Sequence, residues 1–255
     1  MDEQADKGVR LNRFLASCGI GSRRACDELI EQGRVEINGE IVVSLASRVQ
    51  PGDHVKFDGK LLRSQAPLSV LFYKPRGCLC TRDDPQGRKT IYDLLPRNFA
   101  KLHYVGRLDY DSSGLLLLTS SGDLTERLTH PRYHVEKEYE VLVDHAFDPE
   151  LVPKLLEGFP FPEGHAKMES VRLEGKRRLR IILTQGYNRQ IRRMLSKVGY
   201  KVVRLDRVRI GGLVDDLLAP GEHRVLTHKE IETAGSNPVP KKRGRKSRGP
   251  KPGPQ

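Results

Sequence analysis

The clearest feature of the hydrophobic pattern is an unbroken apolar run, Leu115 to Leu118, set directly after the polar bend Gly106-Arg107-Leu108-Asp109-Tyr110-Asp111-Ser112-Ser113-Gly114. The run is too short to cross a membrane and too apolar for an exposed edge, so it predicts a buried strand. Further strands are expected at Val70 to Tyr73, Tyr139 to Val143, Leu179 to Leu183 and Val208 to Ile210, with helices at Asp123 to Leu128, Pro149 to Glu157 and Asn188 to Val198. In the last of these, Ile191, Met194, Leu195 and Val198 form a core-facing stripe, and Arg189, Arg192, Arg193 and Lys197 take the other positions. Near the start, Leu11, Phe14, Leu15 and Cys18 fall at helical spacing. Gly19 and Gly21 end that helix, and Ser22 can cap a second one from Arg23 to Glu31. The alternation Val35 to Val42 around Asn38-Gly39 then predicts a hairpin.

Strand spacing is too irregular for a doubly wound parallel sheet. The expected fold is α+β: a small N-terminal α+β domain, then a larger domain on a mixed, mainly antiparallel sheet with flanking helices. The expected boundaries are a flexible N-terminus over 1–8, the small domain over 9–58, a linker over 59–67, the larger domain over 68–232 and a disordered tail over 233–255. Lys60, Arg63, Ser64 and Gln65 interrupt any buried face in the linker. No internal repeat is expected.

Charge narrows the partners. With 45 Lys and Arg against 33 Asp and Glu, the net charge of +12 favours a polyanion, without separating RNA from DNA or a membrane surface. After Glu232 there is no acid, yet Lys241, Lys242, Arg243, Arg245, Lys246, Arg248 and Lys251 follow; these seven cations amount to more than half of the net charge and predict a salt-sensitive tether. The four cysteines lack zinc spacing, no apolar stretch approaches 18 residues, and no signal-peptide pattern is present. Free thiols, no metal site and a soluble, cytoplasmic protein are the expectation.

Asp109 and Asp111 sit at the mouth of the predicted buried strand, where a rigid scaffold holds a carboxylate in reach of a substrate. A plain Asp-Ser-Ser-Gly turn accounts for the same residues. A calcium loop does not, because its closing acidic position falls on Ser120. In the N-terminal unit, Arg10, Arg13, Arg23, Arg24 and Arg34 cluster, and Arg23-Arg24 at a helix N-terminus are unfavourable without a compensating anion. A solvated basic face is the plainer account.

The bend resembles the signature of the pseudouridine synthases that modify ribosomal RNA. Three further segments match that family in the same order: Tyr73-Lys74-Pro75-Arg76-Gly77, Val135-Glu136-Lys137-Glu138-Tyr139-Glu140-Val141 and Gly186-Tyr187-Asn188-Arg189-Gln190-Ile191-Arg192-Arg193-Met194. Gly21-Ser22-Arg23-Arg24 and Gly33-Arg34-Val35 before Asn38-Gly39 resemble the small RNA-binding domain shared with ribosomal small-subunit protein four. The resemblance covers roughly residues 9 to 230.

It implies isomerisation of a uridine to pseudouridine in ribosomal RNA, with no cofactor and no metal. Asp109 would start the reaction. Arg189 would pair with it through a charge-assisted hydrogen bond and keep it ionised. Tyr139 would stack on the extruded uridine and act near carbon 5, and Leu183 would help wall the pocket. RNA contacts would come from Arg10, Arg13, Arg23, Arg24 and Arg34, and from Lys74, Arg107, Lys137, Asn188, Arg192 and Arg193. Cys80-Thr81-Arg82-Asp83-Asp84-Pro85-Gln86-Gly87-Arg88 after the first segment looks more like the large-subunit branch, although Tyr110 is bulky for its position. A monomer is expected. Two other readings use the same residues: a non-catalytic RNA-binding assembly factor, which needs no ordered Asp109, Tyr139 and Arg189, and a magnesium nuclease, which needs a third acid near the bend.

Overall fold

The computed structural model describes residues 8–64 and 66–237. The N-terminal unit opens with helices Leu11–Ser17 and Arg23–Glu31, the second capped by Ser22, whose Oγ accepts from the Ala25 amide at 3.2 Å. Leu11, Leu15, Cys26, Ile30, Val35, Val49 and Val55 form its buried core. The expected hairpin pairs Val35–Ile37 with Glu40–Ile41. Asn38 and Gly39 turn it with φ of 54° and 89°, the left-handed pair that a two-residue turn between twisted strands requires.

A second hairpin, Val55–Phe57 with Lys60–Leu61 around Asp58-Gly59, completes a four-stranded sheet. The two share one pattern, Val-x-x-Asn/Asp-Gly, so a short internal repeat exists where none was expected. The linker expected over 59–67 consequently starts too early. Lys60 and Leu61 pair with Phe57 and Lys56, and Leu62 packs on the core of the unit.

The second unit is built on a mixed sheet in the order Ser170–Leu173, Arg178–Leu183, Lys137–Val143, Val202–Ile210, Ser113–Thr119, Ser69–Lys74 and His223–Val225. Neighbours run antiparallel except Val202–Ile210 against Ser113–Thr119, which run parallel. All of Ser113–Thr119 is buried, because helices and loops cover both faces of this central strand. That is why its sequence is a continuous apolar run without alternation. One face of the sheet packs Phe72, Leu116 and Leu118 under Cys78, Ile91 and Phe99. Farther across, the same face packs Val141, Ile181 and Leu205 under Ile191, Met194 and Leu195 of helix Gln190–Lys197. Tyr139 touches both clusters and so marks the seam between them. The opposite face packs Leu71, Leu115 and Leu117 with Leu124, Leu128 and Leu226.

The expected helix over 149–157 is a 3-10 turn, Pro149–Leu151, followed by Val152–Glu157, and the strand expected at 208–210 runs from Val202. Strands His103–Val105, Ser170–Leu173 and His223–Val225 were not foreseen. At the C-terminal end, helix His228–Ala234 passes the expected boundary. The Asn237 side chain then accepts from the Glu136 amide at 2.8 Å and donates to the His134 carbonyl at 3.1 Å. Order therefore continues through 237, and the seven tail cations lie outside the described residues. Among the described residues no helix is long and apolar enough to cross a membrane.

Candidate active site

The bend carrying Asp109 links strand His103–Val105 to the central strand Ser113–Thr119. Three cations hold it. The Lys74 ammonium is fully buried and donates to the carbonyls of Pro75, Asp109 and Ser112 at 3.0, 3.0 and 2.8 Å. Burial lowers its pKa despite nearby carboxylates. Lys74 is therefore a clamp on both ends of the bend, and its expected contact with RNA is excluded by its burial. Half-buried Arg192 donates to the carbonyls of Val202 and Asp111, at 3.1 and 3.0 Å, and lies 3.4 Å from the Asp111 carboxylate.

Arg189 is the third. It does not hydrogen-bond Asp109 as expected. Its guanidinium grips the Asp111 carboxylate with two bonds of 2.9 and 3.2 Å and approaches Asp109 Oδ2 only to 3.7 Å. The physical reason is placement: Arg189 precedes helix Gln190–Lys197 in a left-handed conformation, φ 48°, which aims its fork at the far carboxylate of the bend. The Arg189 hydrogen bond, with help from Arg192, holds Asp111 below the usual carboxylate range, and Asp111 in turn raises Arg189. Asp109 is left with a part-exposed carboxylate at the rim.

Across the seam lies the floor. Lys74, Gly114, Arg207 and Tyr139 occupy successive positions on one rung of the sheet, continuing to Ile181. Directly paired residues share a face, so Arg207 and Tyr139 lie on the same side as Lys74. Lys137, two residues before Tyr139, pairs with Leu183 on one side and, past a register shift between Glu138 and Tyr139, with Ile210 on the other, and lies close enough to Arg207 for the two charges to interact. Burial and the neighbouring Arg207 lower Lys137 to about 8.

The remaining expected contacts divide. Arg23, Arg24, Arg107 and Asn188 are exposed. Arg10 is exposed and donates to the Leu45 carbonyl. Arg13 is paired with Asp123, Arg34 with Asp58, and Arg193 with Glu163 at 2.8 Å while covering the Phe161 ring. These three cations are engaged within the protein, which reduces what each offers to a polyanion. The expected list omitted Asp111 and Arg207. A charged residue sharing the parity of buried Leu205 on strand Val202–Ile210 is the available signal for Arg207.

Residues 69–197 match the family model for RNA pseudouridylate synthase, and residues 9–55 match the S4 domain. The chain is 38% identical over 246 residues to an uncharacterized RNA pseudouridine synthase of Aquifex aeolicus, covering 92% of this chain and 98% of that protein. It is 36% identical over 229 residues to ribosomal large subunit pseudouridine synthase B of Bacillus subtilis, covering 88% and 94%. A crystal structure described as a pseudouridylate synthase superposes with a TM-score of 0.65 at 33% identity, over 89% of this chain and 100% of that one. With a catalytic-domain match over half the chain and relatives aligned along nearly their whole length, the chain belongs to the RNA pseudouridylate synthase family.

Proposed function

We propose that the protein converts a uridine of large-subunit ribosomal RNA to pseudouridine, with Asp109 as the reacting carboxylate. One observation carries the assignment of Asp109: of the two carboxylates on the clamped bend, Asp111 is tied by Arg189 and Arg192, whereas Asp109 keeps a part-exposed side chain with a guanidinium no closer than 3.7 Å. The large-subunit target is supported by the Bacillus subtilis relative and by the segment from Cys80 to Arg88.

In this reading the uridine leaves the RNA stack and lies across the seam between Asp109 and Tyr139, whose ring replaces the lost stacking. The bond between nitrogen 1 and the ribose breaks, the base turns, and carbon 5 joins the ribose in its place. Arg189 orients the bend and screens Asp109 from 3.7 Å. Exposed Arg23, Arg24, Arg107 and Asn188 meet phosphates, with the unit over residues 9–55 gripping folded RNA by shape. The protein acts as a cytoplasmic monomer, the unit beyond residue 68 carries the chemistry, and the basic C-terminal segment tethers RNA. Family membership favours catalysis over a non-catalytic assembly role. Among the described residues, no three His, Cys, Asp or Glu side chains are placed to hold a metal.

The test is tritium release from large-subunit ribosomal RNA labelled at carbon 5 of uridine. Wild type should release label, and Asp109→Asn should release none while its melting and RNA binding stay unchanged. Turnover by Asp109→Asn would remove Asp109 from the mechanism.

A further inference from the structure

The arginines of strand Val202–Ile210 are not equivalent. Arg204 is matched by Asp206, and Arg209 by Glu136 and Glu138 at 2.9 and 2.6 Å. Arg207 has no carboxylate partner among the described residues. It is 4% exposed, its Nε donates to the Leu115 carbonyl at 2.7 Å, and its Nη2 is buried without a partner. Lys137, two residues before Tyr139 on its strand and close enough to Arg207 for its charge to be felt, likewise has no hydrogen-bond or ion-pair partner among the described residues. Two desolvated cations left without an acid are unfavourable unless an anion or strong acceptor completes them.

Their position says what that acceptor is. On the rung Lys74, Gly114, Arg207, Tyr139, the Asp109 carbonyl rests on the Lys74 ammonium at one end and the tyrosine stands at the other. Gly114 contributes no side chain, so the gap of about 10 Å between the bend and Tyr139 is floored by Arg207. A nucleoside reaching from Asp109 to Tyr139 lies over that floor.

We propose that Arg207 and Lys137 hold the carbonyl oxygens of the target uracil and stabilise the anion it becomes when it leaves the ribose. The inference rests on the isomerase reading given above. When the bond from carbon 1′ to nitrogen 1 breaks, its electron pair passes to nitrogen 1 and spreads onto oxygens 2 and 4. Carbon 5 then bonds carbon 1′, carbon 5 loses its proton, and nitrogen 1 gains one, so no oxidant or further reactant is needed. Two fixed cations in a site shielded from water lower the energy of that ring anion more than that of the neutral base, which is the condition for accelerating the step. A floor of donors alone also disfavours cytosine, which offers an amine where uracil has oxygen 4. Burial and Arg207 bring the Lys137 amine to about 8, so it is still largely protonated near neutral pH.

The experiment compares wild type, Asp109→Asn, Lys137→Met, Lys137→Arg and Arg207→Lys on a large-subunit ribosomal RNA transcript tritiated at carbon 5. Single-turnover rate, RNA affinity and melting temperature are read for each. Lys137→Met should lose rate by about 100-fold while affinity stays within about threefold, and Lys137→Arg should recover to within about tenfold of wild type. Arg207→Lys, which keeps the buried charge, should lose rate without unfolding. The proposal is overturned if Lys137→Met keeps its rate within about threefold, if its lost rate is matched by equally lost affinity, or if both variants change only melting. A wild type that releases no tritium overturns the isomerase reading itself, and the proposal with it. An active wild type beside an unimpaired Lys137→Met overturns the proposal alone.

Discussion

Gly114 joins the sheet to the bend that carries Asp109, and replacing it with alanine tests that junction. Its φ is +112°, and a Cβ built there lies 2.2 Å from the Arg207 carbonyl oxygen and 2.3 Å from the Arg207 nitrogen. Both obstacles are backbone, held by the parallel register Asp206 to Ser113 and Arg207 to Gly114. Relief requires the Val202–Ile210 strand to retreat by nearly 1 Å from a fully buried neighbour. Positive-φ strain adds about 1–2 kcal/mol, overpacking about 1–3, and each buried backbone bond that opens about 1–3. The sum, about 3–8 kcal/mol with one bond opened, approaches the whole stability of a typical domain. Gly122→Ala is the control: Gly122 opens helix Gly122–Thr129 with nothing within 4 Å of a built Cβ, so alanine there should be neutral or stabilising by up to about 1 kcal/mol. The chain has no Trp, so near-ultraviolet circular dichroism of its tyrosines during urea unfolding follows packing of the second unit. A Gly114→Ala protein that unfolds within about 1 kcal/mol of wild type would refute the tight contact between these strands.

Three further outcomes are expected. Lys74→Met should lower stability by about 2–4 kcal/mol in urea titration, since three carbonyl contacts of a buried ammonium are lost and replaced by apolar atoms. Lys137 binds its proton more weakly folded, at about 8, than unfolded, near 10.5, so the unfolded state holds more protons between those values and stability should rise with pH across that window. The gain should be about 3 kcal/mol relative to Lys137→Met, and an equal pH slope in both proteins would contradict the lowered value. Deleting residues 238–255 should weaken RNA binding and reduce the slope of log affinity against log salt while sparing tritium release from saturating RNA; an unchanged slope would show that the segment does not meet phosphate.

Much of the fold was legible because its signals were local. The two N-terminal helices, the Asn38-Gly39 hairpin and the buried Leu115 to Leu118 run each announce themselves within a few residues. The second hairpin is equally local, yet Asp58-Gly59 resembles the approach to a linker because the strands around it are only three and two residues long. Strands His103–Val105 and His223–Val225 escaped for a different reason. They are half-exposed, short and edge-like, and pairing with the buried strands Ser113–Thr119 and Ser69–Lys74 defines them more than their own pattern does. Side-chain pairing was the least legible level. Whether Arg189 meets Asp109 or Asp111 depends on one left-handed residue before a helix, and nothing in the spacing of an Asp-x-Asp bend chooses between its two acids.

That choice bears on reactivity. A carboxylate gripped by two guanidinium bonds has its lone pairs committed and its basicity lowered, as Asp111 does. Had Arg189 bound Asp109 in the same way, attack on a sugar or base, or removal of a ribose proton, would first have to break those bonds. The observed arrangement separates the two tasks. Asp111 accepts the positioning bonds from Arg189 and Arg192, Lys74 fixes the main chain on either side, and Asp109 stays near a guanidinium at 3.7 Å without being bonded to it. The cations that were expected to grip RNA are therefore divided by depth. Those at the bend bind one acid and leave the other without a hydrogen-bonded cation among the described residues, while Arg23, Arg24 and Arg107 stay exposed at the surface.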